Sequence, residues 1–137
     1  MAQLIRSFAS GVTISDALIG TIVYESDQGE VSIATSSSVE PLGVVMNIQP
    51  DGKAVIAGAG ERGVVKLSED FEYSDSKIFT ATTGGEAAVF SPAAGTVTTA
   101  TVAWSVGYVV LPYETKGASG SMQECFVLPQ VQVVKAS

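Results

Sequence analysis

Short apolar runs, alternating with polar residues and cut by glycine or proline turns every few positions, constrain this chain more than any other feature. Val12 and Ile14 alternate with Thr13 and Ser15, a rhythm of two that gives each face of a strand its own side chains. Residues 20–24 (Gly-Thr-Ile-Val-Tyr) are β-branched and aromatic. Ser26-Asp27-Gln28-Gly29 reads as a turn, and residues 30–34 alternate again, with Val31 and Ile33 on one face. This predicts a β-hairpin.

The same grammar continues to the end of the chain. Pro41-Leu42-Gly43-Val44-Val45-Met46 begins a buried strand, Pro50-Asp51-Gly52 is a turn, and residues 53–57 return from it. Proline presets φ, Asp bonds forward and glycine takes the positive φ. Gly63-Val64-Val65-Lys66-Leu67 is another short strand. Residues 77–82 and 86–90 form a second hairpin around Gly84-Gly85. Residues 91–101 read as a loop with a weak edge strand, and residues 103–111 as a strongly apolar strand. Residues 115–121 are a Gly/Ser-rich loop. Two last strands, 125–128 and 131–134, are split by Pro129, which belongs at an edge or a bend. Nine or ten short strands and no three-turn amphipathic helix predict an all-β sandwich or compact barrel of antiparallel strands.

Composition agrees. With 137 residues there is room for one domain, and 46% hydrophobic residues supply a core without staples. Only 15% are charged, and Gly, Ala, Ser, Thr and Val fill the shortfall, which disfavours long surface helices. A net charge of −7 would repel a phosphate backbone and an anionic lipid surface, so neither nucleic acid nor membrane is an expected partner. Residues 1–10 hold one Arg and no signal-peptide core. No run approaches the roughly 20 apolar residues of a membrane span. Synthesis in the cytoplasm is expected.

One internal echo runs through the pattern. Ile22, Val23, Gly29, Glu30 and Ile33 are followed 56 positions later by Ile78, Phe79, Gly85, Glu86 and Val89. Each copy is succeeded by an apolar segment with a central glycine, Leu42-Gly43-Val44-Val45 and Val106-Gly107-Tyr108-Val109. The later copy is longer by about eight residues, placed at 91–101. Either the chain is internally duplicated, or two hairpins merely share hairpin grammar.

The search for chemistry returns little. There is no histidine, so the usual general base, the usual zinc ligand and the Ser–His and Cys–His dyads are missing. Ser76 and Lys77 are strand neighbours that point to opposite faces. Glu69, Asp70, Glu72 and Asp75 form an acidic run that lacks the spacing and glycine of a calcium loop, and a solvated loop is the simpler reading. Cys125, the only cysteine, lies beside Phe126, Val127 and Leu128 with no basic neighbour. It reads as a small buried apolar residue. Trp104, Val106 and Tyr108 share parity and would face one side, more in keeping with a core than a sugar platform. No catalytic, metal or cofactor site is expected. Leu4, Ile5, Arg6 and Phe8 precede the first patterned strand, and residues 1–10 read as an arm that docks on something or on its own domain.

Taken together, the Gly-x-Ile-Val-Tyr segment, the Gly-x-Val return, Pro-Leu-Gly-Val-Val, Gly-Val-Val-x-Leu, the Gly-Gly hairpin and Val-Gly-Tyr-Val-Val over about residues 11–134 resemble the small head-decoration, or capsid cement, proteins of tailed bacteriophages. Asp75-Ser76 departs from the Gly-Asp expected before the second hairpin. The resemblance implies a β-tulip-like domain (residues 11–137), trimeric, seated on the outside of an icosahedral shell against the major capsid protein. It also implies an extended N-terminal arm (residues 1–10) whose Leu4, Ile5, Arg6 and Phe8 touch the shell. Loss of that arm is then expected to spare the fold. A carbohydrate-binding or tail-fibre adhesin module is the alternative, and it would need Trp104 or the tyrosines exposed.

Overall fold

The computed structural model describes residues 4–72, 78–89, 100–110 and 116–135. The chain is all-β, with twelve strands among the described residues. Five of them close a barrel: β1 (Leu4–Phe8), β2 (Ile22–Asp27), β3 (Glu30–Ile33), β4 (Gly43–Ile48) and β5 (Ala54–Ala57), in the order β1-β3-β2-β4-β5 with β5 returning to β1. A second five-stranded sheet contains β6 (Arg62–Lys66), β8 (Ile78–Ala81), β9 (Ala87–Val89), β10 (Ala100–Val109) and β12 (Met122–Lys135), in the order β6-β12-β10-β8-β9. Two short strands, β7 (Phe71–Glu72) and β11 (Lys116–Gly117), pair with each other.

Local chemistry accounts for most of these elements. Ile22, Val23 and Tyr24 start β2 as β-branched and aromatic residues do. The Gln28-Gly29 turn into β3 is fastened by the Asp27 carboxylate, which accepts from Gln28 N–H at 2.8 Å. The Pro50-Asp51-Gly52 turn forms as read, with Gly52 N–H donating to Gln49 C=O and Lys53 N–H to Asp51 Oδ1. Residues 16–18 make one 3-10 turn, capped by the Ser15 hydroxyl.

Three expectations need correction. Residues 12–15 form no strand: they link β1 to the 3-10 turn, with Ile14 49% exposed. Residues 125–134 are not two strands: β12 runs unbroken through Pro129. It bulges there, because Ser105 pairs with Gln130 while Gly107 already pairs with Val127. A bulge is one of the few places where a proline's missing N–H goes unfelt in a sheet. Nor are Leu4–Phe8 a free arm. They form β1, antiparallel to β5 through Leu4–Ile56, Ile5–Val55 and Arg6–Ala54 and parallel to β3 through Phe8–Val31. Without β1 the first barrel has no closure, so loss of residues 1–10 would not spare the fold.

The echo in the sequence is a repeat in three dimensions. Val23 faces Gly43 across β2 and β4, as Phe79 faces Gly107 across β8 and β10. Val23–Ile33 and Tyr24–Ser32 in one hairpin match Phe79–Val89 and Thr80–Ala88 in the other. Val45–Ile56 matches Val109–Cys125, and Leu4–Ile56 matches Gly63–Cys125. Even the closure is shared: the parallel pair Phe8–Val31 has its equivalent in the isolated parallel bridge Leu67–Ala87. Ala9 N–H donates to Val31 C=O at 2.8 Å, and Ser68 N–H donates to Ala87 C=O at 2.9 Å. Shared hairpin grammar cannot set the register of five strands, so the molecule is two copies of one five-stranded unit.

Each unit has its own interior. Val23, Val31, Val45, Ala54 and Ile56 fill the first barrel, with Leu4, Phe8, Leu42 and Ile48 packed around them. In the second unit the matching positions are Phe79, Ala87, Val109, Gln123 and Cys125, all buried. The larger Phe79 in place of Val23 offsets Ala87 in place of Val31, which keeps the interior filled. Gln123 stands where the first unit has Ala54. Its amide donates to Val110 C=O at 2.7 Å and to Glu124 C=O at 2.9 Å, as burial of a polar group requires.

Candidate interaction face

The cross-strand row Ile78–Tyr108–Phe126–Arg62 runs over the outside of β8, β10, β12 and β6. Directly opposed residues point to the same side of a sheet, so these four side chains share one face. Tyr108 is 39% exposed and Phe126 is 37% exposed. Arg62 is paired with Glu124 at 3.8 Å, both on the surface. The Tyr108 hydroxyl donates to Gln130 Oε1 at 2.8 Å, which fixes the ring without hiding it. A partly aromatic surface of this kind, with Arg62 matched by Glu124, is suited to contact with another protein surface.

The residues singled out in the sequence do not gather into one site. Leu4 and Phe8 pack on the interior of the first barrel, while Ile5, on the other side of β1, is 48% exposed. Arg6 is half-buried, and its guanidinium donates to the Ile5 carbonyl at 2.9 Å. Of the four candidates, only Ile5 is exposed; Arg6 shares its strand face with Leu4 and Phe8.

The acidic run is divided between structural tasks. Glu69 accepts from Val89 N–H at 3.3 Å, and Asp70 accepts from Ser119 N–H at 2.6 Å. These contacts tie the segment after β6 to β9 and to the turn after β11. Glu72 is described in its backbone alone, and Asp75, Ser76 and Lys77 lie outside the described residues. No group of three potential metal ligands occurs among the described residues.

Cys125 is fully buried, and burial pushes its thiol up from 9.0 to about 12. It occupies the position that Ile56 holds in the first barrel, which makes it a core residue. Trp104 is half-buried and its N–H donates to Ser37 C=O at 2.7 Å; here the N–H is the backbone amide. Val106 is fully buried. Shared parity therefore does not give Trp104, Val106 and Tyr108 shared exposure, since the strand pair is offset at the bulge opposite Val106. Tyr113 lies outside the described residues. A shallow cavity of about 460 Å³ opens between Tyr24, Glu25, Val39, Glu40, Pro41 and Leu42. Its lining holds two carboxylates, Glu25 and Glu40, beside Tyr24.

Sequence reasoning missed the Tyr108–Phe126 row. Both residues were legible as strand residues, but their pairing depends on a register across a separation of 18 positions. No protein-family model and no curated protein sequence matches the chain.

Proposed function

We propose that this chain is a structural protein of a tailed-phage head, which binds the outside of the icosahedral shell and stabilises it. One observation carries the reading: the outer sheet surfaces carry exposed apolar side chains, Ile5 on β1 and Tyr108 and Phe126 on β10 and β12, while Glu69 and Asp70 of the acidic run are engaged with the backbone. The resemblance of its strand-and-turn motifs to capsid cement proteins supports the same role. In this reading the partner is the major capsid protein, the working state is a homotrimer, the location is the virion, and no step is catalytic.

Cement acts by mass action. A protein that binds only the assembled shell stabilises that shell by its binding free energy, and many copies on one lattice gain avidity. With β1 locked in the barrel, capsid contact through the N-terminal segment falls to Ile5, with Leu4, Arg6 and Phe8 on the strand's other face.

Co-sedimentation with emptied heads of the phage that carries the gene tests this. The wild-type chain is expected to pellet with heads at saturable stoichiometry and to raise their disruption temperature. Ile5→Glu is expected to lower occupancy while leaving the circular-dichroism spectrum of the free chain unchanged. Failure of the wild-type chain to bind heads would overturn the reading.

A further inference from the structure

The two units contact each other through different surfaces. The first contributes the outer face of β2, β4 and β5: Ile22, Val44 and Ala57 are fully buried there, joining the cluster that contains the interior of the second unit. Tyr24 and Met46 pack against the same cluster. The second unit contributes a seat beside β6 and the turn before β9. Lys66 N–H donates to Gly20 C=O at 3.0 Å. A side chain on Gly63 would meet Ala57 and Met46, and one on Gly85 would meet Thr21, Ile33 and the Ile22 carbonyl.

The face exists twice, and the seat in part, because the unit is repeated. The register makes Ile78, Tyr108 and Phe126 the equivalents of Ile22, Val44 and Ala57. Within the chain that second face is half open. The seat is duplicated in part: Gly29 is the equivalent of Gly85, with φ of 76° against 75°. Gly85 is crowded by the first unit, whereas nothing lies within 4 Å of the space beside Gly29. One chain thus leaves a face at its second unit and a seat at its first unit, the two halves of the contact it makes internally.

We infer that copies of this chain associate head to tail, the Ile78–Tyr108–Phe126 face of one copy covering the β1–β3 side of the first barrel of the next, around Gly29. Such a contact is heterologous: it builds a ring when the rotation closes and a filament when it does not. The seat is not a replica in every atom. Ser7 N–H already bonds Gly29 C=O at 3.1 Å, where its equivalent Lys66 bonds the other unit, so the contact between copies is made by side chains on a closed seam. It is therefore weaker than the internal one and depends on concentration. The inference rests on the repeat and not on shell binding, and it supplies an interface for the homotrimer of that reading.

Light scattering on the full chain tests it without any shell present. The wild-type chain is expected to move from 14.1 kDa to multiples of that mass as concentration rises. The double variant Tyr108→Glu/Phe126→Glu is expected to stay at the monomer mass with an unchanged β-sheet spectrum. Phe126→Ser, a milder change that guards against misfolding, is expected to weaken association about tenfold, equivalent to roughly 1.4 kcal/mol. A photoreactive phenylalanine analogue at position 108, in a mixture of isotopically light and heavy chains, should link to peptides containing residues 4–8 or 27–31 of another copy. A wild-type chain that is monomeric at every concentration, association indifferent to both variants, or links to the second unit of another copy would each overturn the inference. Head binding by a strictly monomeric chain would overturn it together with the homotrimer, and leave shell binding itself standing; self-association without head binding would overturn shell binding alone.

Discussion

The first and second units share a strand register and differ in what they expose. Val44 and Ala57 are fully buried, while their equivalents Tyr108 and Phe126 are 39% and 37% exposed. The interior shows the same divergence on a smaller scale, with Ile56 replaced by Cys125, Ala54 by Gln123, and Leu4 by Gly63. At Gly63 the missing side chain leaves room into which Ala57 and Met46 reach from the other unit. Repetition fixed the backbone pairing, and packing of one copy on the other released the two sequences to diverge.

The comparison is most severely tested at the paired glycines. A Cβ on Gly43 would collide with the Ala57 carbonyl, and one on Gly107 would collide with the Phe126 carbonyl, at equivalent points of the two units. Gly43→Val and Gly107→Val are each expected to destabilise by about 4 kcal/mol or more, beyond ordinary overpacking. Chemical denaturation should then show one cooperative transition lost in both cases, because the outer face of the first unit belongs to the cluster that fills the second. Survival of one transition while the other disappears would show two independently folding barrels.

The interior substitutions follow in size. Phe79→Ala empties the largest buried side chain and should cost about 3–5 kcal/mol, whereas Val23→Ala at the equivalent position should cost about 2 kcal/mol. Urea midpoints measure both. Equal losses would mean that Phe79 does not carry the second interior as Val23 and Val31 together carry the first.

The smallest effect depends on pH. The Cys125 thiol is raised by burial to about 12 in the folded chain, against 9.0 when exposed. Between those values the folded state keeps a proton that the unfolded state has lost, so stability falls as pH rises. Below pH 9 the thiol contributes no slope. Cys125→Val removes this dependence, so the stability curves of variant and wild type should run parallel below pH 9 and diverge above it, the variant losing less. Parallel curves to pH 11 would mean that the thiol is not buried as Ile56 is.

Much of this architecture was legible in advance, for reasons tied to particular residues. The hairpins at 22–33 and 78–89 follow from β-branched alternation and from glycines that must take positive φ. The echo of Val23 and Gly43 in Phe79 and Gly107 reflects a spacing that the backbone pairing then honours. Leu4–Phe8 was illegible as a barrel strand because a run of five residues holding Arg6 and Ser7 has no strong rhythm. Its place depends on pairing with β5, some fifty residues away. The Pro129 bulge was misjudged as a break because a sequence does not show which strand lies opposite. The candidate site was less legible still: Ile5 and Arg6 were singled out, but the Tyr108–Phe126 row was not.

The sequence by itself determined that the chain is all-β, that its turns fall where glycine, proline and aspartate place them, and that it carries no histidine-based chemistry. Those properties are local, set by backbone sterics and residue type. Only the tertiary structure decided that residues 4–8 close a barrel, that five strands are repeated in register, and that one copy of a face is covered while the other is bare. Val44 and Tyr108 are both strand residues suited to burial, and neither states which of them a neighbour will cover. That outcome depends on how two closed surfaces meet, a property of shape that no run of residues encodes alone.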